Sequence, residues 1–379
     1  MSVEPTQSAE SAESAEPVEP ANSAASAEPA AQEPPRAGRE GDVLAVVSQS
    51  GPSVSFFDAA SDRHLGTLET LAQPHELCFD PTQRLLWCTT TYRSGYYNAN
   101  SGRRTELTVI DPDTRTVVEV VDLAPEHAPH GMALDASRGR LYVTVEGAQD
   151  RVGGVVVVDT RTRRPLGRID TGAPGPHWVA VDAAGRSAYV VNKEAPYVSV
   201  LDLERETLTA KVEVPGSEGV AVAADGTHAF VATPHGGSFS AEGATPPEIK
   251  VIDTRTASVV DTLPLTDAAM PLHLTSTGKL LAGEVRTERD RATGASTMAP
   301  GRLSVFDADT RKRLGDVEVG LVPLTITSPR DGRIAYVACF ASSTVEIVDL
   351  ETLRPLSRLQ HPAFGASGAH GLAYIPRAV

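Results

Sequence analysis

The sequence predicts an all-β fold, a seven-bladed β-propeller. Three observations predict it. A β-branched strand ending in Asp recurs seven times, at Asp58, Asp111, Asp159, Asp202, Asp253, Asp307 and Asp349. Successive copies lie 42 to 54 residues apart, a spacing that suits propeller blades. Around each copy sit further short Val-rich runs separated by Gly-, Pro- or Asp-bearing turns, so each unit divides into four strands.

The chain opens with a low-complexity stretch. Residues 1–42 are Ser/Ala/Glu repeats and then Pro-rich sequence. They hold almost nothing apolar to bury, so a disordered acidic tail is expected there. Residues 43–379 are expected to form one propeller. In the third blade, strand A runs from His177 to Val181 and strand B from Ser187 to Val191. Strand C follows from Val198 to Leu201 and strand D from Thr209 to Val214. Asp182 to Gly185 makes the A–B turn, and Asp225-Gly226 and Asp331-Gly332 do the same elsewhere. After each repeated Asp comes the C–D turn, where the carboxylate can accept from backbone amides just ahead. The first strands after the tail lack a strand A before them. The last blade is therefore expected to close on itself: strand A from His370 to Tyr374, strands B to D from residues 43–70. Such closure leaves neither terminal strand with an open edge.

Tyr189-Val190-Val191-Asn192, Tyr142-Val143-Thr144 and Tyr336-Val337-Ala338 each precede a Val-x-Val-x-Asp-like strand. These motifs resemble the YVTN-type β-propeller repeats, and the resemblance covers residues 43–376. It implies the fold. It implies no single function, because that group includes surface-layer proteins, binding scaffolds and parts of enzymes.

The chemistry-bearing pattern lies at the start of strand A. Aligning the seven copies puts His370, His75, His130, His177, Glu218, Leu272 and Leu324 in one register. The residue three further on is small in every copy: Ala373, Cys78, Ala133, Ala180, Ala221, Thr275 and Thr327. Small residues suit inner strands crowded around an axis. The four histidines fall in consecutive blades and so point to one mouth of the channel. Imidazole suits Fe, Cu, Ni and Zn. His75, His130, His177 and His370 are the candidate ligands of a divalent transition metal, with Fe(II) or Cu first and Zn or Ni as alternatives. Glu218, Glu76 and Glu146 are candidate acceptors behind them. His235 is a candidate fifth ligand or general base. The constellation is similar to that of the carotenoid cleavage oxygenases, propellers with four axial histidines on Fe(II). No sequence motif of that family accompanies it.

Long B–C loops are expected over the same mouth, at Thr89–Thr105, Thr233–Glu248 and Glu284–Gly301. With the shorter connections they offer Tyr92, Tyr96, Tyr97, Lys193 and Arg286 as a rim for a small-molecule substrate. His273 is placed one step out of register, facing between blades, and Trp178 is expected to pack there too. An enzyme with oxidative chemistry is the first functional reading and a metal-dependent lyase or isomerase the second. A non-catalytic propeller that binds a ligand or protein is the third. The histidines themselves also admit a metal-free polar pocket, or a turn-capping role inherited with the repeat.

Composition excludes other classes. Net charge is −15, which disfavours nucleic acid bound on a basic surface. No apolar run reaches the ~18 residues of a membrane span, and no signal peptide is visible at the N-terminus. Three cysteines without CxxC spacing form no disulfide framework, so the cytoplasm is the expected location. No GxSxG, HExxH, Walker or GxGxxG motif is present, which argues against those chemistries. Imidazoles in place of carboxylates and Asn argue against a Ca²⁺ site.

Overall fold

The computed structural model describes residues 40–96, 99–148, 150–234, 246–289, 294–361 and 368–378. The expected acidic tail lies outside these up to residue 39. The described residues form seven four-stranded antiparallel sheets and no helix. Six blades follow chain order. Blade 3 is Pro176–Val181, Ser187–Asn192, Tyr197–Asp202 and Thr207–Glu213, within two residues of the sequence-based bounds at each end. Blade 7 is closed by both ends of the chain: Ala369–Ile375 pairs with Val43–Ser48, followed by Ser53–Asp58 and His64–Glu69. The seven inner strands touch one another in cyclic order, so the sheets form a ring.

The core is divided among the gaps between blades. Seven apolar clusters fill the seven gaps. Strands B and C are covered on both faces. That is why Val155-Val156-Val157-Val158 is apolar without alternation, as expected of a strand buried on both sides. Strand D is the outer edge and alternates weakly, with Val118, Val120 and Leu166 about half exposed.

The repeated Asp residues serve the C–D turns. Asp159 Oδ1 accepts from the Thr162 amide at 2.7 Å and hydroxyl at 2.9 Å. These bonds hold the Asp159 carboxyl down at about 2. Amide-to-carboxylate bonds of the same kind appear at Asp58, Asp111, Asp202, Asp253, Asp307 and Asp349. Four residues after each Asp the chain takes a left-handed conformation, at Asp62, Arg115, Arg163, Glu206, Ala257, Arg311 and Leu353. An Asp-anchored turn can hold a non-glycine residue there, at a cost of about 1–2 kcal/mol.

One expected loop is a strand extension. Glu284–Gly301 continues strands B and C of blade 5 outward, as Lys279–Arg289 and Ser296–Asp307, with Arg286 opposite Ala299 and Arg289 opposite Ser296. The Thr89–Thr105 segment carries a two-stranded ribbon, Gly95–Tyr96 with Ala99–Asn100. Most of Thr233–Glu248 lies outside the described residues.

Candidate metal centre at the channel mouth

Pairing fixes which end of strand A meets the loops. Pro74 lies opposite Thr90, Pro176 opposite Asn192 and Pro323 opposite Cys339. The start of each strand A and the end of its strand B therefore share one mouth. His370, His75, His130, His177, Glu218 and Leu324 all line one cavity there, of about 210 Å³. The seventh axial residue is Met270, not Leu272, which corrects the sequence alignment by two positions. His273 consequently stands three residues on, where Thr275 was expected. It does face the next blade, with its Nε2 2.8 Å from Ser328 Oγ.

The imidazoles are packed against one another. Ring centroids are 4.4 Å apart for His370–His75, 4.1 Å for His75–His130 and 3.7 Å for His130–His177. His75 Nε2 and His130 Nε2 converge to 2.5 Å. All four rings are buried. Burial, followed by the neighbouring histidines, holds His75 and His130 well below the ordinary histidine value of 6.5. Burial takes His177 down to about 4 against the pull of Glu218. Three rings are thus neutral at pH 7, with nitrogen lone pairs available to a metal.

Behind the rings stands a row of polar partners. Gln49 Nε2 lies 2.8 Å from His75 Nδ1. Turning the amide would let its oxygen accept from an Nδ1–H, which leaves Nε2 as the ligating nitrogen. Glu76 Oε1 is 3.1 Å from His370 Nδ1, and burial raises the Glu76 carboxyl. Glu218 Oε1 is 3.8 Å from His177 Nδ1 and 3.0 Å from Lys193 Nζ. One donor atom each from His75, Glu76 and His370 lies within 4.8 Å of the others, so this group can hold a metal ion.

The other rim residues divide. Tyr92 lines the cavity and donates its hydroxyl to Glu146, which also pairs with Arg103 at 2.9 Å. Glu146 therefore meets Tyr92 rather than one of the four axial imidazoles. Lys193 meets Glu218 rather than open space. Arg286 sits on the extended hairpin, bonded to the Pro300 carbonyl at 3.0 Å and near Asp267, and does not line the cavity. The side chains of Tyr96 and Tyr97, and all of His235, lie outside the described residues. Three lining residues escaped the sequence reading: Gln49, Met270 and Phe340. Trp178, expected to pack between blades, does so and lines the cavity as well.

Local sequence explains how the rings come so close. A Cβ on Gly131 would stand 2.5 Å from the His177 carbonyl oxygen, and one on Gly371 2.4 Å from that of His75. Gly131 also donates to the His177 carbonyl at 3.1 Å, and Thr144 Oγ1 donates to it at 2.6 Å. Glycine after the axial histidine lets two inner strands bond directly. Gly131→Ala is expected to cost about 1–3 kcal/mol, the range for forcing extra atoms into a packed site. An unchanged urea midpoint would show that these strands separate freely.

The buried histidines also set a pH response. His177, His273 and His361 titrate at about 4 in the fold and His75 and His130 well below 6.5. The unfolded chain takes up these protons near pH 6.5. Between 6.5 and 4 it binds more protons than the native state, so stability is full above 6.5 and falls as pH drops. Each such ring contributes at most about 1.4 kcal/mol per pH unit. Chelator-treated protein should show urea midpoints that fall from pH 7 to pH 5. A flat profile would mean that the rings are protonated or solvated in the fold.

No family profile matches the chain. It is 26% identical over 225 residues to the uncharacterized protein YncE of Salmonella typhi and to that of Salmonella typhimurium, covering 58% of this chain and 56% of the relative. The seven-bladed beta-propeller protein Rv1057 of Mycobacterium tuberculosis is 24% identical over 311 residues, covering 82% of this chain and 68% of that one. These relatives fit a propeller repeat family. The chain spans a little over half the length of the YncE proteins. Among solved structures, a chain of Kuenenia stuttgartiensis hydrazine synthase superposes with a TM-score of 0.60 at 16% identity, covering 81% of this chain and 96% of that one. A functionally unknown protein from Desulfotomaculum acetoxidans gives 0.62 at 9%, covering 89% and 100%. Both likenesses show the fold alone. Among the described residues no helix is long and apolar enough to cross a membrane.

Proposed function

We propose that His75, His130, His177 and His370 hold a divalent transition metal, and that the chain is an enzyme acting on a small organic molecule at this mouth. The observation that carries the reading is the packing of four buried imidazoles around one cavity, with Nε2 atoms of two of them converging. Neutral imidazole selects Fe, Cu, Ni and Zn over hard cations. Four protein ligands would fill a tetrahedral Zn site, whereas a catalytic site keeps a position open. Fe(II) or Cu, with higher or tetragonal coordination, leaves room for substrate. Such a metal supplies a Lewis-acidic, redox-capable centre. Oxidation is therefore the preferred chemistry and a lyase or isomerase reaction the second.

The chain's own residues orient the rings in this reading. Gln49 holds His75, Glu76 holds His370, and Glu218 with Lys193 stands behind His177. A cytoplasmic setting suits the three free thiols, Cys78, Cys88 and Cys339. Elemental analysis of untagged full-length protein is expected to find about one Fe or Cu per chain, and absorption spectra under air and argon to differ. Protein purified under argon that binds neither metal on titration would overturn the reading.

A further inference from the structure

We propose that this mouth recognises a molecule with a polar donor end and an apolar arm, and that Met270, Leu324 and Phe340 form the wall that takes the arm. The donor end rests on the metal reading; the wall stands on its own geometry. The axial ring is two-sided. Blades 7, 1, 2, 3 and 4 present His370, His75, His130, His177 and Glu218, while blades 5 and 6 present Met270 and Leu324 to the same cavity. Phe340 joins them from the end of strand B in blade 6, fixed where its amide donates to the Val322 carbonyl at 2.9 Å. These three side chains are only partly buried, so they face open space instead of closing the channel as a core would. Trp178 and Tyr92 flank the cavity, and the Tyr92 hydroxyl is committed to Glu146. An apolar lining with a few convergent polar groups is the make-up of a small-molecule site. At about 210 Å³ the cavity exceeds the ~150 Å³ engineered apolar cavity that takes a benzene. The donor end and the arm share that volume, so the arm is no larger than a single ring or a short branched chain.

Two probes test this on the full chain. The first is the series pyrazole, 4-methylpyrazole and 4-propylpyrazole, titrated calorimetrically into metal-loaded protein. Azole nitrogen ligates the metal, and the alkyl group reports the wall. Affinity is expected to rise about fourfold per methylene, and Met270→Gln to flatten the series. The second is xenon, pressurised into crystals of metal-free protein and expected against Met270, Leu324 and Phe340. Metal bound with a flat pyrazole series, or xenon absent from this wall, overturns the inference. No metal bound but xenon at the wall sinks the metal reading alone and upholds the apolar subsite.

Discussion

Replacing His130 by alanine is expected to lower metal affinity by more than 100-fold and to leave the propeller folded. Loss of a partner one shell out typically costs 10–100-fold in affinity, and His130 is central in the cluster, with His75 on one side and His177 on the other. The fold should survive because little else depends on the ring. Among the described residues its Nδ1 has no hydrogen-bond partner, and its Nε2 has His75 alone within hydrogen-bond distance. The register of the inner strands comes instead from Gly131, Thr144 and the His177 carbonyl. In metal-free protein the substitution removes a ring whose own proton affinity is depressed by burial and by the neighbouring histidines. Chelated His130→Ala should therefore melt close to chelated wild type, while the metal-loaded forms diverge. Metal retained in full by His130→Ala and His177→Ala would place the ion on His75, Glu76 and His370 instead, and Glu76→Ala should then release it.

Most of the fold was legible because its signals are local. An Asp that anchors a turn needs only the next few amides, so seven turns could be read from seven short strings. The axial histidines were legible for the same reason, since each follows a turn and opens a strand. Blade 5 failed where that local mark misleads. A Pro precedes the axial residue in Pro74-His75, Pro129-His130, Pro176-His177 and Pro323-Leu324, and Pro271-Leu272 imitates that pair two positions late. The A–B turn would have anchored it. Gly185, Gly226, Gly278 and Gly332 each donate to the carbonyl three residues back, and counting five back from that carbonyl reaches His177, Glu218, Met270 and Leu324. Gln49 and Phe340 were invisible for a different reason. Each stands just past strand B and becomes a lining residue only when the ring closes, which no string of neighbours encodes. Arg286 was misplaced because a charged, Thr-containing stretch reads as loop, while its two arms pair with each other as a hairpin.

Ring closure also sets the largest expected effect on stability. Truncating the chain after residue 367 removes the inner strand of blade 7, Ala369–Ile375, and should abolish cooperative folding. That strand serves three blades at once. It pairs with Val43–Ser48, its Leu372 packs into the gap with blade 6, and its Ala373 and Ile375 pack into the gap with blade 1. Leu372 and Ile375 are buried, and each is worth about 1.5–3 kcal/mol of apolar burial. Adding the lost strand pairing, and the Asp42 carboxylate stripped of its Tyr374 hydroxyl and Arg377 amide partners, brings the loss to the scale of a whole domain's stability, about 5–15 kcal/mol. The truncation would also open the edges of Val43–Ser48 and of the neighbouring inner strands, which invites aggregation. The expected result is insoluble protein, or soluble protein without a sharp thermal transition. A synthetic peptide of residues 368–379 added during refolding should restore the transition, because it returns the missing strand without the covalent link. It should restore metal binding along with it, since His370 arrives on that strand. A truncated chain that melts like the full-length protein would mean that six complete blades hold the ring without the seventh, and that the two ends of the chain meet without being needed.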